Sequence, residues 1–290
     1  MTSSMSSETV ADRWDTIPPI RPFPVSAMRL MKISGDPASD VRELVSVIET
    51  DPGFAVKLMQ VANSTLYGMS GRIRSIQQAV VVLGYRKLHD ITVTLGATDV
   101  FSQGNEGQQQ REQLWYHSLA CAVTAQQLAK RIDLPPDEAF LGGILHDVGK
   151  LVMIDLAADE YLAITKDYDQ IADYQNLTDV ENAAFGRDHQ ELGMLCADEW
   201  GLPYSVAGMI GYHHNPQEAP DDIELSELIR FSNQLVACWN TTGDGNDPVE
   251  PAEAGVATDL KISHDVVAVV QSEVEEMYND LRTVCCLSAS

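Results

Sequence analysis

Positive charge is scarce in this sequence: 19 lysines and arginines stand against 43 aspartates and glutamates in 290 residues, a formal net charge of -24 at pH 7. Such a chain repels a phosphate backbone, so binding DNA or RNA through a broad basic footprint is not expected. The nearest thing to a basic patch, Arg72, Arg74, Arg86 and Lys87, has only Tyr85 to stack on a base. It reads as a solvated face or a contact for an acidic partner. No apolar run approaches the roughly 20 residues of a membrane span, and the serine-rich start lacks the basic and apolar regions of a secretory leader. No membrane role is expected, and the expected location is the cytoplasm. Cysteines are few and odd in number, five in all. Cys121, Cys196 and Cys238 fall inside apolar helical patterns, which suits reduced, buried thiols better than a disulfide framework, while Cys285 and Cys286 read as exposed.

The 44% hydrophobic content is enough for a full core, in one large domain or two packed lobes. Residues 1–16 are polar, and the proline-rich IPPIRPFPV delays the first helix until Val25. From there the apolar period is 3.6 residues, not 2, which predicts an all-helical protein. Val41, Leu44, Val45 and Ile48 form one stripe, and Phe54, Leu58, Val61 and Ala62 another, the latter behind the cap and first-turn proline of Asp51-Pro52. Ser75 caps a long Val-rich segment that reads as helix, because Ile76, Ala79, Val80 and Leu83 share a face. Met28, Met31 and Met59 read as core filler, and Asn63 as a turn or capping residue or, with Tyr67, as a partner contact.

This divides the chain into an N-terminal helical lobe, 17–101, a polar linker, 102–113, and a second helical lobe, 114–240. An acidic, Gly/Pro-rich connection, 241–257, then leads to a C-terminal amphipathic helix within 258–290. In the second lobe helices are expected over 114–132, 137–154, 157–174, 178–184, 188–200, 204–214 and 224–240.

The chemistry gathers in that lobe. His117, His146, His189, His213 and His214 all occupy helical positions among apolar residues. Asp147 follows His146 and Lys150 lies one turn on, so a single helix is expected to present an imidazole, a carboxylate and an ammonium together. Imidazole and carboxylate are the usual ligands of zinc, iron or manganese, and a nearby lysine can hold phosphate oxygens. Gly142 and Gly143 allow a neighbouring helix to come close. Each histidine taken singly is a satisfied core residue as readily as a ligand, and Lys150 alone is as readily a solvated lysine.

The order H, then HD with GK, then H, then HH resembles the HD superfamily of metal-dependent phosphohydrolases. The segments IPPIRPFPVSAMRLMKI, DPGFAVKLMQVANSTLYG and SIQQAVVVLGYRKLHDI narrow the likeness to the HDOD family of bacterial signalling output domains, over about residues 17–240. The resemblance implies an N-terminal helical bundle packed on an HD-like helical lobe and a mostly regulatory role. It makes His117, His146, Asp147, His189, His213 and His214 metal ligands. Lys150 becomes a phosphate contact, catalytic together with Asp147 in any active enzyme. HD enzymes normally add an aspartate from a late helix, and the matching segment here, LSELIRFSNQLVACW, offers Asn233. An amide oxygen is a weaker ligand than a carboxylate and adds no negative charge. HHNPQEAP also lacks the Gly-Tyr-Pro signature of the branch that hydrolyses cyclic di-GMP, so that activity is not implied.

Three functions remain open. One is a regulatory module that works through a signalling protein partner. Another is a working metal phosphohydrolase using iron, manganese or zinc. The third is a sensor that binds a phosphorylated small ligand without turnover.

Overall fold

A computed structural model of the chain describes residues 22–34, 39–63, 73–104, 106–165, 174–239 and 260–284. Among these every regular element is a helix, in keeping with the all-α expectation. The N-terminal lobe is built from α1 (Val25–Ser34), α2 (Val41–Glu49) and α3 (Pro52–Ala62), all packed on α4 (Ile76–Ser102).

Local chemistry sets these helix starts. Asp40 accepts a hydrogen bond from the Arg42 backbone N–H at 3.0 Å, Asp51 from that of Phe54 at 3.0 Å, and Ser75 from that of Gln78 at 3.1 Å. Each satisfies an amide that the first turn leaves without a partner, worth about 1 kcal/mol per cap. Asp51 also accepts from the Ser26 hydroxyl at 2.7 Å, which ties α3 to α1. Asn63 caps the end of α3, donating to the Met59 carbonyl at 3.1 Å, and brackets the backbone of Ile73 with two hydrogen bonds of 2.9 and 3.0 Å; Tyr67 lies outside the described residues. Met31 is buried and Met28 and Met59 pack on the core, as filler should.

The long fourth helix joins the two lobes. It breaks at Gly84, where φ is +74°, a left-handed value that favours glycine. Beyond the break nearly every side chain from Leu88 to Phe101 is buried, because this half packs on the first lobe and on two helices of the second. Thr92, Thr94 and Thr98, which would be awkward in such a core, return their hydroxyls to carbonyls one turn back at 2.7 Å each. Gly96 is required by contact: a Cβ there would stand 2.6 Å from the Phe23 ring, which itself meets Trp200 of the second lobe at 5.7 Å between centroids.

The second lobe contains α5 (Gln108–Ala129), α6 (Pro136–Leu145), α7 (Val148–Thr165), α8 (Tyr174–Phe185), α9 (His189–Glu199), α10 (Tyr204–Tyr212) and α11 (Ile223–Trp239). A last helix, α12 (His264–Val284), lies against α5, with Tyr278 on Tyr116 and an Arg131–Glu273 ion pair at 2.7 Å.

Three boundaries differ from the sequence expectation. The stretch 102–113 is only briefly a linker, since helix resumes at Gln108 and Arg111 is buried. Arg111 donates to the carbonyls of Gln103 and Glu106 at 2.9 Å each and pairs with Asp155, pinning the connection to α7. The helix expected over 137–154 is two helices, broken at His146-Asp147. The helix expected to begin at 157 is instead the continuation of α7 past a kink at Ala157. Residues 1–16, 166–173 and the connection 241–257 lie outside the described residues, as do Arg72, Cys285 and Cys286. No helix among the described residues is long and apolar enough to cross a membrane.

Candidate metal centre

The break between α6 and α7 gives the centre its shape. His146 ends α6 and turns its Nδ1–H back onto the Gly143 carbonyl at 2.8 Å, so the helix closes on its own histidine. His146 and Asp147 project from a turn, where one continuous helix was expected. Lys150, on the first turn of α7, places its ammonium 2.7 Å from Asp147 Oδ2.

Two glycines bring the surrounding helices within reach. A Cβ on Gly143 would meet the Ala122 backbone at 2.7 Å, and one on Gly149 would meet the His189 carbonyl oxygen at 1.9 Å. Gly143 seats α6 on α5 as expected. Gly149, which sequence reasoning passed over, lets α7 touch the start of α9 and carries Asp147 to His189. Gly142 instead faces the Met209 side chain.

The structure brings the six residues together in overlapping groups, His117 with His146, His146 with Asp147 and His213, and His189 with His213 and His214. His146, Asp147, His189 and His213 are all at most 1% exposed. Asp147 Oδ2 lies 3.3 Å from His146 Nε2, while Oδ1 lies 3.5 Å from His189 Nε2 and 3.7 Å from His213 Nε2. His214 Nε2 is 3.0 Å from His189 Nε2, and His213 Nε2 is 3.4 Å from the same atom. His117 stands at the other end, its ring 5.5 Å from that of His146. There its Nε2 meets Asn233 Oδ1 at 2.9 Å and Cys121 Sγ at 3.4 Å.

Hydrogen bonds on the far side of each ring decide what the inner nitrogens can do. His146 gives its Nδ1–H to Gly143, His213 gives its own to the Ile210 carbonyl at 2.8 Å, and His189 gives its own to the Glu181 carboxylate at 2.5 Å. In the neutral ring the Nε2 atom of each is then a bare lone pair facing the centre. Glu181 also accepts the His189 backbone N–H at 3.0 Å and the Tyr161 hydroxyl at 3.2 Å, so a fully buried carboxylate orients this ring. A carboxylate behind a ligating imidazole is how many metal sites fix ring orientation and raise donor strength.

The electrostatics follow from the burial. Burial pushes His117 down to about 4, helped by His146, and His214 to about 2, helped by His189. His213 is lowered for the same reason, with His214 and His146 adding to it. For Asp147 burial opposes ionisation, yet His146 and the Lys150 ammonium outweigh it and hold the carboxyl well below its usual range. Glu181 is lowered likewise, burial being overcome by His189. Burial thus disfavours the charged form of His117, His213 and His214, around a carboxylate held ionised.

Two of these atoms, His146 Nε2 and Asp147 Oδ1, are buried with no hydrogen-bond partner. An unsatisfied polar atom in a buried site costs about 1–3 kcal/mol, more when charged. Imidazole nitrogens and a carboxylate oxygen converging in a buried site are the donor set of a divalent cation, so these residues fit a metal.

The HDOD domain profile matches residues 20–216, more than half of the chain. This chain belongs to the HDOD domain family. The matched span contains all five clustered histidines, Asp147 and Lys150, and ends before Asn233. An HDOD domain protein of unknown function from Geobacter sulfurreducens has a similar structure, with a TM-score of 0.77 and 24% identity, covering 95% of this chain and 96% of the other. So has a protein of Marinobacter aquaeolei, provisionally named a signal transduction protein, with a TM-score of 0.74, 21% identity and coverage of 100% of this chain and 63% of the other. A protein of Shewanella amazonensis provisionally named a phosphohydrolase reaches a TM-score of 0.65 at 22% identity, covering 94% of this chain and 97% of the other. An uncharacterised protein of Treponema pallidum is 25% identical over 263 residues, 89% of this chain, and the chain spans about half of that relative's length, 48%.

Sequence reasoning missed Glu181, Gly149 and the place of Cys121. Glu181 stands eight positions before His189 on a different helix, a spacing that signals nothing. Cys121 carries a signal that could have been read, since it lies one turn after His117 on the same helix.

Proposed function

We propose that this HDOD chain is a regulatory module of bacterial signalling that acts by binding, through a protein partner or a phosphorylated small ligand, and not by turnover. One observation carries the reading: where an HD enzyme supplies a late aspartate, Asn233 is 2% exposed and spends its amide oxygen on His117. An amide there adds no charge to the site and leaves His117 held by a neutral hydrogen bond. Lys150 supports the same reading, because its ammonium already sits on Asp147. The cleft of about 550 Å³ between the start of α6 and α11 carries Glu138, Asp221, Asp222 and Glu224 among its lining residues, which disfavours a phosphate there.

The second reading, a metal-dependent phosphohydrolase, is favoured by the orphaned His146 Nε2 and Asp147 Oδ1. His117, His146, Asp147, His189, His213 and His214 would hold iron, manganese or zinc. A bound ion supplies Lewis acidity and an acidified water. Of the chain's own groups, Lys150 would hold an anionic phosphoryl oxygen, Glu181 keeps the His189 proton on Nδ1, and Gln190 anchors the paired histidines by donating to the Gly211 carbonyl at 2.6 Å and accepting the His214 backbone N–H at 3.2 Å.

The deciding experiment assays the full chain, loaded in turn with iron, manganese and zinc, against nucleotides and phosphoesters. The regulatory reading expects no turnover above that of His146→Ala. An enzyme-like rate that His146→Ala abolishes overturns it.

A further inference from the structure

We infer that the sulfur of Cys121 is a metal ligand, taking the anionic place at the His117 end of the centre that Asn233 does not fill. This rests on the reading that the histidine centre holds a divalent cation, and it adds the chemical character of the ion.

Cys121 follows His117 by four residues on α5, so both side chains leave the same face of the helix toward the same point. Its Sγ is 3.4 Å from His117 Nε2, and the donor atoms of His117, Cys121 and His146 all lie within 4.8 Å of one another. The third of these donors is the telling one. His146 has committed Nδ1 to Gly143, and its Nε2, fully buried, makes no hydrogen bond, with Asp147 Oδ2 standing 3.3 Å away.

Most buried cysteines are small apolar side chains and nothing more. Cys196 is of that kind: it is as deeply buried, on α9, yet belongs to no such donor group among the described residues. Cys121 differs by what surrounds it. At this end the other donors are two imidazoles and an amide oxygen, none of which is an anion, while Asp147 is shared with the His189 and His213 side and with Lys150. A dication placed among them lacks an anion of its own, and the nearby thiol, which burial keeps protonated in the absence of metal, supplies one by exchanging its proton for the ion as the sulfur–metal bond forms.

The substitution of sulfur for carboxylate sets the metal. Thiolate favours zinc and ferrous iron, whereas the carboxylate it replaces suits manganese and magnesium. The centre therefore selects the softer ions.

Titration of the full chain with Co(II) tests this. The visible d–d bands report binding, and a sulfur-to-cobalt charge-transfer band in the near ultraviolet reports the ligand. The expected result is both bands in the wild type, loss of the charge-transfer band alone in Cys121→Ser, and its retention in Cys196→Ser. Cobalt bound without the charge-transfer band, or a band that survives in Cys121→Ser, overturns the inference and leaves the metal centre standing. No cobalt bound at all overturns the metal reading and the inference with it. Cys121→Ala, with helicity checked by circular dichroism, guards against a serine that merely unfolds the site. In either variant the preference for zinc over manganese should fall by about tenfold or more. An unchanged preference counts against a sulfur ligand.

Discussion

At one end of the histidine centre a buried carboxylate, Glu181, stands behind His189 and holds its proton on the outer nitrogen, while His213 and His214 close in from α10. At the other end no carboxylate among the described residues is hydrogen-bonded to His117. It faces a neutral amide, Asn233, and a thiol. The first end is built as a metal site is built, with ionic support outside the donors. The second has a neutral amide beside its histidine, and among the described residues Cys121 is grouped there with His117 and His146.

The sharpest way to break this comparison is at Glu181. Glu181→Ala leaves a buried imidazole N–H and a backbone N–H without an acceptor, and should destabilise the protein by about 3–5 kcal/mol in chemical denaturation. A loss under about 1 kcal/mol would mean that the two ends are not differently supported.

Acid should act on both ends with one sign. His117 and His214 are held at about 4 and about 2, below the ordinary 6.5, so the unfolded chain takes up protons that the native centre refuses. Stability should begin to fall as pH drops below about 6.5 and continue falling toward 4, by a few kcal/mol in sum. Asp147 and Glu181, lowered in the native state, act in the same direction, their contribution lost as pH passes below the ordinary carboxylate values. Melting temperature against pH is the measurement, and a flat profile from 6.5 to 4 would contradict the buried, unprotonated cluster.

Gly149→Ala tests whether the ends are coupled through Asp147. The added Cβ drives against the His189 carbonyl, so α7 and α9 must part. The expected loss is about 1–3 kcal/mol, with weaker zinc binding by calorimetry. Unchanged metal affinity would show that the His189 end holds without Asp147.

The mildest change addresses Asn233 itself. Asn233→Asp puts a carboxylate against His117 and should raise affinity for manganese roughly tenfold, in step with typical effects of groups around a metal. If affinity does not move, the amide is not what sets the second end apart.

The sequence by itself determined the helical class, because a 3.6-residue apolar period and the capping residues Asp40, Asp51 and Ser75 act within one turn and need no distant partner. It also determined which donors are present, since five histidines, Asp147 and Asn233 can be read in order along the chain. Only the tertiary structure decided how they meet. The break at His146-Asp147 was hidden by continuous helical periodicity and arises where Gly143 and Gly149 let neighbouring backbones press in. Glu181 reaches His189 only because α8 packs against α9, and Asn233 reaches His117 across 116 positions because α11 lies on α5. Hydrogen bonds of 2.5–2.9 Å between such distant residues depend on packing whole helices side by side, and no local pattern encodes that.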